Sequence, residues 1–228
     1  MAVSKARLLG VVLILLGMAV APAGVSVAAD GLFGSREIRN TDMKAFTQWT
    51  EMWRRFNLKR QSRPDPPDCD GDAAPGGDAR VACKRQNWED FIEAHKGADR
   101  AEMLSLVNRF MNQAPYIVDP VNWGIPDYWA TPREFFLKDG DCEDYAISKY
   151  ITLKRLGVPA DTMRLVVLQD ENLNAAHAVL AVRHEGQEYI LDNQVDQVVA
   201  DDDILHYRPV YSINESAWWL HQRKSFGR

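Results

Sequence analysis

Residues 140–150 read GDCEDYAISKY. This stretch contains both the start of a predicted helix and a cysteine that is a candidate for chemistry. A helical pattern begins at about Cys142, which places the thiol at a helix N-terminus, where the helix dipole favours a thiolate. The flanking residues are acidic, however, because Asp141, Glu143 and Asp144 surround the cysteine. Since nearby carboxylates disfavour a further negative charge, something must offset them if the thiol is to react.

The chain before this stretch has the pattern of helices joined by irregular turns. Residues 42–59 carry aromatic side chains at helical spacing, and residues 87–112 predict one or two further helices. Residues 61–82 are rich in Pro, Gly and Asp and predict a loop. Thr131 and Glu134 form a capping box for a helix that ends just before the quoted stretch. We therefore expect the N-terminal part of the chain to be helical.

After the quoted stretch the hydrophobic period changes from helical to alternating. The helix that begins at Cys142 is expected to run to about residue 156. Residues 164–168, 178–182 and 188–191 then predict strands, and residues 207–219 predict one more short strand. Helices first and antiparallel strands later indicate a single α+β domain.

The second and third predicted strands form a hairpin that carries a histidine and an aspartate. A four-residue turn at 183–186 would pair Val182 with Gln187 and place His177 opposite Asp192. Directly opposite residues have Cβ atoms roughly 5 Å apart, close enough for an imidazole and a carboxylate to hydrogen-bond. A one-residue slip would turn the two side chains to opposite faces, so this expectation depends on the turn.

Together with the helix-start cysteine, this pair has the composition of a thiol triad. His177 would serve as general base and acid for Cys142, and Asp192 would hold the tautomer and orientation of the imidazole. Each residue also has an ordinary explanation, as a buried cysteine, a strand-end histidine and a turn aspartate. The order Cys, His, Asp is that of papain-like and transglutaminase-like enzymes.

The N-terminus has the layout of a secretory signal peptide. Residues 8–20 form an uncharged apolar run, preceded by two basic residues and followed by small ones, with a cut expected after Ala28 or Ala29. The alternative is a retained anchor, because residues 8–27 carry no charge and could just span a bilayer. Cleavage is favoured since Pro, Gly and Ser interrupt the second half of that run.

Removal of residues 1–29 leaves residues 30–228, enough for one domain with a real core. The two basic residues of the leader are lost with it, so the net charge changes from −5 to about −7. An acidic exported protein is a poor candidate for binding nucleic acid or an anionic membrane surface. We therefore expect neither partner, and no membrane insertion after cleavage.

Three cysteines remain to be placed in an oxidising compartment. Cys69 and Cys83 flank the acidic, proline-containing loop, and a disulfide between them would stabilise the fold by about 3 kcal/mol on the chain-entropy argument. The alternative is two unpaired loop thiols. In either case Cys142 has no evident partner.

Beyond these patterns, several long stretches in the same order resemble the bacterial transglutaminase-like cysteine peptidases, the group that includes the LapG-type periplasmic proteases. The matching stretches are VNRFMNQAPY (107–116), WGIPDYWATPREFF (123–136), GDCEDYAISKY (140–150), LGVPADTMRLVVL (156–168), HAVLAV (177–182), YILDN (189–193) and YRPVYSIN (207–214). The resemblance implies a papain/transglutaminase-like α+β fold, with a nucleophile helix packed on an antiparallel sheet. It also implies that Cys142 is the nucleophile, His177 the base and Asp192 the orienting acid.

The same resemblance offers an explanation for the acids beside the nucleophile. It implies that Asp141 and Glu143 bind Ca²⁺, an ion that prefers several carboxylate and carbonyl oxygens. Asp144 could join them. The alternative is that Asp141 caps the helix while Glu143 and Asp144 complement its dipole, and the two interpretations are compatible.

The resemblance further implies a calcium-dependent periplasmic cysteine endopeptidase that cleaves the N-terminal region of a large surface adhesin and so controls biofilm attachment. It implies as a partner an inner-membrane cyclic-di-GMP receptor that sequesters the protease. Two alternatives use the same residues differently. One is transglutaminase-like amide transfer, and the other is a non-catalytic calcium-responsive binding module.

We expect the exported protein to contain a disulfide between Cys69 and Cys83. Alkylation without reductant, followed by intact-mass analysis, should then show one modified thiol. Three modified thiols would contradict the pairing.

Overall fold

The computed structural model describes residues 31–59 and 78–223. The predicted leader, most of the predicted 61–82 loop and Cys69 lie outside the described residues. Cys83 is disulfide-bonded, and its predicted pairing with Cys69 stays a prediction. No helix in the described part of the chain is long and apolar enough to cross a bilayer.

The described residues form six α-helices and seven strands. The helices are α1 (Thr47–Lys59), α2 (Asp78–Ala94), α3 (Arg100–Asn112), α4 (Asp119–Asn122), α5 (Pro132–Lys138) and α6 (Cys142–Arg155). The strands are β1 (Arg36–Asn40), β2 (Met163–Asp170), β3 (Ala175–His184), β4 (Gln187–Leu191), β5 (Val199–Ala200), β6 (Tyr207–Ile213) and β7 (Trp218–Gln222). Short 3-10 turns lie at Leu32–Gly34, Ala160–Thr162 and Asp201–Asp203.

The strands form one antiparallel sheet in the order β1-β7-β6-β2-β3-β4-β5. The predicted α+β fold is confirmed, since helices precede all but the first strand and pack on the sheet. The central strands β2 and β3 carry the most apolar runs, because they are covered by neighbours on both faces.

Helix α6 is the centre of the core. It packs on β2 and β3 and also contacts α3 and α5. The apolar residues of its inner face are buried: Ala146, Ile147, Tyr150 and Leu153. Polar residues of the same helix are buried as well, and Trp88 Nε1 of α2 donates to Thr152 Oγ1 at 2.8 Å. The helix is therefore enclosed on several sides, which holds its N-terminus in one position.

The expected N-terminal helices are present, with different boundaries. Helix α1 begins at Thr47 rather than Asp42, because Asp42 lies in a turn where its backbone N–H binds Asn40 Oδ1 at 2.8 Å. Helix α2 begins at Asp78, so the last part of the predicted 61–82 loop is helical. Good helix formers follow the last glycines of that segment, and the packing of Trp88 against α5 stabilises the extension.

The predicted hairpin turn is wrong by two residues. His184 pairs with Gln187, so the turn contains only Glu185 and Gly186, with φ values of 51° and 85°. Two consecutive positive φ angles are the geometry of a tight two-residue hairpin, whose twist matches that of the strands. The register therefore moves by two, which leaves every side chain of the hairpin on its predicted face.

The C-terminal tail holds two strands where one was predicted. Strand β6 pairs with β2 and β7 pairs with β6, and the N-terminal strand β1 completes that edge of the sheet. Strands β1 and β5 were not predicted. Both are short edge strands without a clear alternation, which explains why their sequences carry little signal.

The turn between α5 and α6 positions the quoted stretch. Thr131 and Glu134 form the predicted capping box at the start of α5. Gly140 then separates the two helices, and a Cβ atom there would lie 2.3 Å from Asp144 Oδ2. The Gly140 carbonyl accepts a hydrogen bond from Ile117 N at 2.9 Å, which ties the α3–α4 connection to the start of α6.

Candidate active site

Cys142 is the first residue of α6, and its thiol lies against strand β3. The thiol donates to Glu143 Oε2 at 3.3 Å and accepts a hydrogen bond from the backbone N–H of Ala178. Ala178 directly follows His177 on β3. The packing of α6 on the sheet therefore brings the helix-start cysteine to the backbone of the residue that follows the predicted histidine.

His177 and Asp192 are in contact, as expected from the hairpin. His177 Nε2 and Asp192 Oδ1 are 2.9 Å apart, and both side chains are buried. The contact forms although the register differs from the predicted one, because the β3–β4 ladder ends at Leu180 and Leu191 and the pair lies just beyond it. Diagonal neighbours on one face of a hairpin are still within reach of an imidazole.

Further donors complete the surroundings of the Asp192 carboxylate. Oδ1 also accepts from the backbone N–H of Gln194 at 2.9 Å, and Oδ2 accepts from the hydroxyl of Tyr207 at 2.6 Å. Burial alone would raise the pKa of Asp192. The hydrogen bond and the charge of His177 lower the pKa, and the hydrogen bonds from Gln194 and Tyr207 lower it further, so that the net shift is downward. The lowered pKa favours the ionised form of Asp192, which suits an acceptor for an imidazole N–H.

Three carboxylates meet beside the thiol. Ligand oxygens of Asp119, Asp141 and Glu143 all lie within 4.8 Å of one another. Asp119 begins α4 and was missed from the sequence, where it lies in an irregular segment far from the cysteine. One oxygen each of Asp119 and Asp141 is buried without a hydrogen-bond partner. Unsatisfied carboxylate oxygens converging on one point fit a hard cation such as Ca²⁺.

The pKa values of these carboxylates reflect their mutual repulsion when no cation balances their negative charges. Burial and the charges of Asp141 and Asp144 raise the pKa of Glu143 to about 10. Burial and nearby acids also raise the pKa of Asp119 to about 6. The pKa of the Cys142 thiol is raised by burial, then by Glu143 and Asp141. A bound cation would reverse these effects, because its charge favours the ionised form of each group.

Asp144 lies apart from this cluster. Its side chain is fully buried, and Oδ1 accepts from the backbone N–H of Ala130 at 2.6 Å. The capping alternative for Asp141 is wrong in detail, since Asp141 occupies the N-cap position without a side-chain capping bond. Its Oδ2 instead accepts from the backbone N–H of Asp119 at 3.2 Å, which joins two members of the cluster.

A half-buried cysteine at a helix start, packed on the strand that carries the histidine of a histidine–aspartate pair in an α+β fold, is typical of the papain/transglutaminase-like class. Residues 78–224 match the family described as bacterial transglutaminase-like cysteine proteinase BTLCP. The chain belongs to this family of cysteine peptidases.

Solved structures of Legionella pneumophila LapG agree with this assignment. One is 35% identical, with a TM-score of 0.58, and the match covers 64% of this chain and 82% of that chain. A calcium-bound form is 29% identical, with a TM-score of 0.58, and the match covers 78% and 93%. An EGTA-treated form is 35% identical, with a TM-score of 0.58, over 64% and 80%. Curated proteins gave no match.

The protonation of the acidic cluster leads to a pH prediction. Because Glu143 has a pKa of about 10 without a cation, it holds a proton at neutral pH and must release it to bind Ca²⁺. We expect calcium affinity to rise between pH 6 and 8 by up to about tenfold per unit, with release of about one proton. Titration calorimetry in buffers of different ionisation enthalpy measures both quantities.

Glu143→Gln is the matched variant, because it has the same shape and no proton to release. Its residual calcium affinity should change less with pH than that of the wild type. Equal wild-type affinity at pH 6 and pH 8 would contradict this prediction.

Proposed function

We propose that the protein is a calcium-dependent cysteine endopeptidase of the periplasm, in which Cys142 is the nucleophile, His177 the general base and acid, and Asp192 the residue that orients His177. The observation that carries this proposal is the buried His177–Asp192 pair, with 2.9 Å between Nε2 and Oδ1, on the strand whose Ala178 N–H contacts the Cys142 thiol. Peptidase family membership supplies the reaction class.

The geometry is suited to acyl transfer through a thioester. Asp192 binds Nε2 of His177, so Nδ1 is the nitrogen on the side of the ring away from the carboxylate. His177 would take the thiol proton as Cys142 attacks the scissile carbonyl, and would then pass it to the leaving amine. Water would next attack the thioester, with His177 accepting a proton from the water and returning it to the thiol. The products are two peptides and the regenerated enzyme.

Calcium would be held by Asp119, Asp141 and Glu143. Its contribution would be positive charge next to the thiol, which favours the thiolate over the protonated form. The two acids that flank Cys142 would then fix the start of α6 instead of opposing ionisation. The similarity to LapG structures solved in calcium-bound and EGTA-treated forms supports this choice of ion.

The substrate and partner are proposed from the family resemblance in the sequence. The substrate would be the N-terminal region of a large surface adhesin, whose cleavage would end biofilm attachment. An inner-membrane cyclic-di-GMP receptor would sequester the protease. The signal-peptide pattern of residues 1–29 supports export to the periplasm, where both partners would be accessible.

Substitution of the three proposed catalytic residues tests the mechanism. Cys142→Ala should abolish cleavage because the attacking atom is lost, while His177→Ala and Asp192→Asn should each reduce the rate by at least about 10³-fold. The assay follows cleavage of an N-terminal adhesin fragment from the same genome by gel and mass spectrometry.

His184→Ala is the matched control, because His184 lies on the same strand away from Asp192 and should leave the rate near that of the wild type. Cleavage by Cys142→Ala at the wild-type rate would refute the mechanism. A labelled primary amine in the same assay tests amide transfer, which predicts covalent incorporation of the amine into protein.

Removal of calcium tests the proposed metal site. Excess EGTA should suppress cleavage by the wild type, and added calcium should restore it. Asp119→Asn should require at least about tenfold more calcium for half-maximal activity, because one anionic ligand is lost. Asp161→Asn is the control, since it makes the same charge change at an exposed position after α6 and outside the cluster. Full wild-type activity in EGTA would exclude a calcium requirement.

A further inference from the structure

We propose that Tyr207 is a positioning residue of this active site, acting on His177 through Asp192. The proposal rests on the proposed function, in which Asp192 orients the catalytic imidazole. Tyr207 lies on β6, two strands away from β3 in the sheet. Nothing in its residue type or local sequence marks it as part of a thiol triad.

Tyr207 contacts both members of the pair. Its hydroxyl donates to Asp192 Oδ2 at 2.6 Å, whereas Oδ1 faces His177 Nε2 at 2.9 Å. Its ring meets the His177 ring edge-on, with centroids 5.8 Å apart and planes inclined by 61°. With Gln194 N also on Oδ1, donors hold both carboxylate oxygens. The carboxylate cannot rotate without breaking at least one of these bonds.

The tyrosine ring is held in place by the smaller of two hydrophobic clusters in the described residues. Tyr207 is 3% exposed and belongs to a core cluster that includes Leu168, Val179 and Ile190. Phe33, in the N-terminal turn, packs edge-on against it with a centroid distance of 5.9 Å. The hydroxyl is therefore presented to Asp192 from a rigid support, as a positioning group requires.

Loss of this hydroxyl would leave one oxygen of a buried carboxylate without a partner. Such an oxygen is costly, so Asp192 would rotate or take up a proton. In either state it would hold the His177 tautomer and orientation less well. Burial and the Asp192 carboxylate raise the pKa of Tyr207, so the hydroxyl remains a neutral donor throughout the working pH range.

Tyr207→Phe removes the hydroxyl and keeps the ring, and Tyr150→Phe is the matched control. Tyr150 is equally buried, and its hydroxyl contacts Ala160 O and Glu215 Oε1, away from the triad. The readout is the rate of Cys142 alkylation by iodoacetamide at pH 7 in saturating calcium, located by peptide mass spectrometry. We expect Tyr207→Phe to slow labelling about tenfold and Tyr150→Phe to leave it unchanged.

This readout separates positioning from stability. A variant that only loosened the fold would expose the thiol and speed labelling. In cleavage assays Tyr207→Phe should lower kcat and leave KM unchanged, because the hydroxyl is buried behind Asp192. In the Asp192→Asn background Tyr207→Phe should cause little further loss, since its route to His177 is already broken. Wild-type labelling by folded Tyr207→Phe, or an equal loss in both backgrounds, would overturn the inference.

His177→Ala distinguishes failure of this inference from failure of the proposed function. Fast labelling of Cys142 in His177→Ala would contradict the proposed triad itself. Slow labelling in His177→Ala together with fast labelling in Tyr207→Phe would contradict only the proposed role of Tyr207. Should Tyr207→Phe not fold, 4-aminophenylalanine and 4-fluorophenylalanine at position 207 decide the matter. The first retains a donor and should label near the wild-type rate, and the second lacks one and should label slowly. Equal rates would refute the proposal.

Discussion

The enclosure of helix α6 between the sheet and the other helices is the constraint on which the site depends. Packing on β2 and β3 fixes the height and rotation of the helix, and contacts with α3 and α5 prevent it from tilting away. The N-terminal residue of the helix then has one place to go, against the backbone of β3 next to His177. The position of the thiol is thus a consequence of core packing, which is strongly specified because interiors are close-packed.

This arrangement concentrates negative charge in a buried region at the start of α6. Asp119, Asp141 and Glu143 converge on the start of one helix, with Asp144 buried separately in its first turn, and the helix dipole alone offsets only a small part of the repulsion among these acids. The pKa values of Glu143 and the Cys142 thiol rise accordingly. In the proposed mechanism a cation would supply the positive charge that favours the thiolate, so chemistry and metal binding would be coupled by electrostatics.

The hairpin explains why the histidine–aspartate contact could be expected from sequence although the turn was wrong. The tight turn at Glu185 and Gly186 shifts the register by two residues, and the strand period is also two. His177 and Asp192 therefore stay on one face at the open end of the hairpin. A shift of one residue would have placed them on opposite faces of the sheet. The contact therefore depends on whether the register shift is an even or an odd number of residues, and not on the exact length of the turn.

The sequence by itself determined the elements with strong local signals: the capped helix α5, the start of α6, the strands β2, β3 and β4, and the neighbourhood of Cys142, His177 and Asp192. These follow from short-range periodicity, capping chemistry and hairpin geometry. Only the tertiary structure brought Asp119 to Asp141, 22 residues away in the chain, and the Tyr207 hydroxyl to Asp192 across the sheet. Neither residue has a local pattern that marks its role, because its partner is chosen by how separate elements pack and not by its neighbours in sequence.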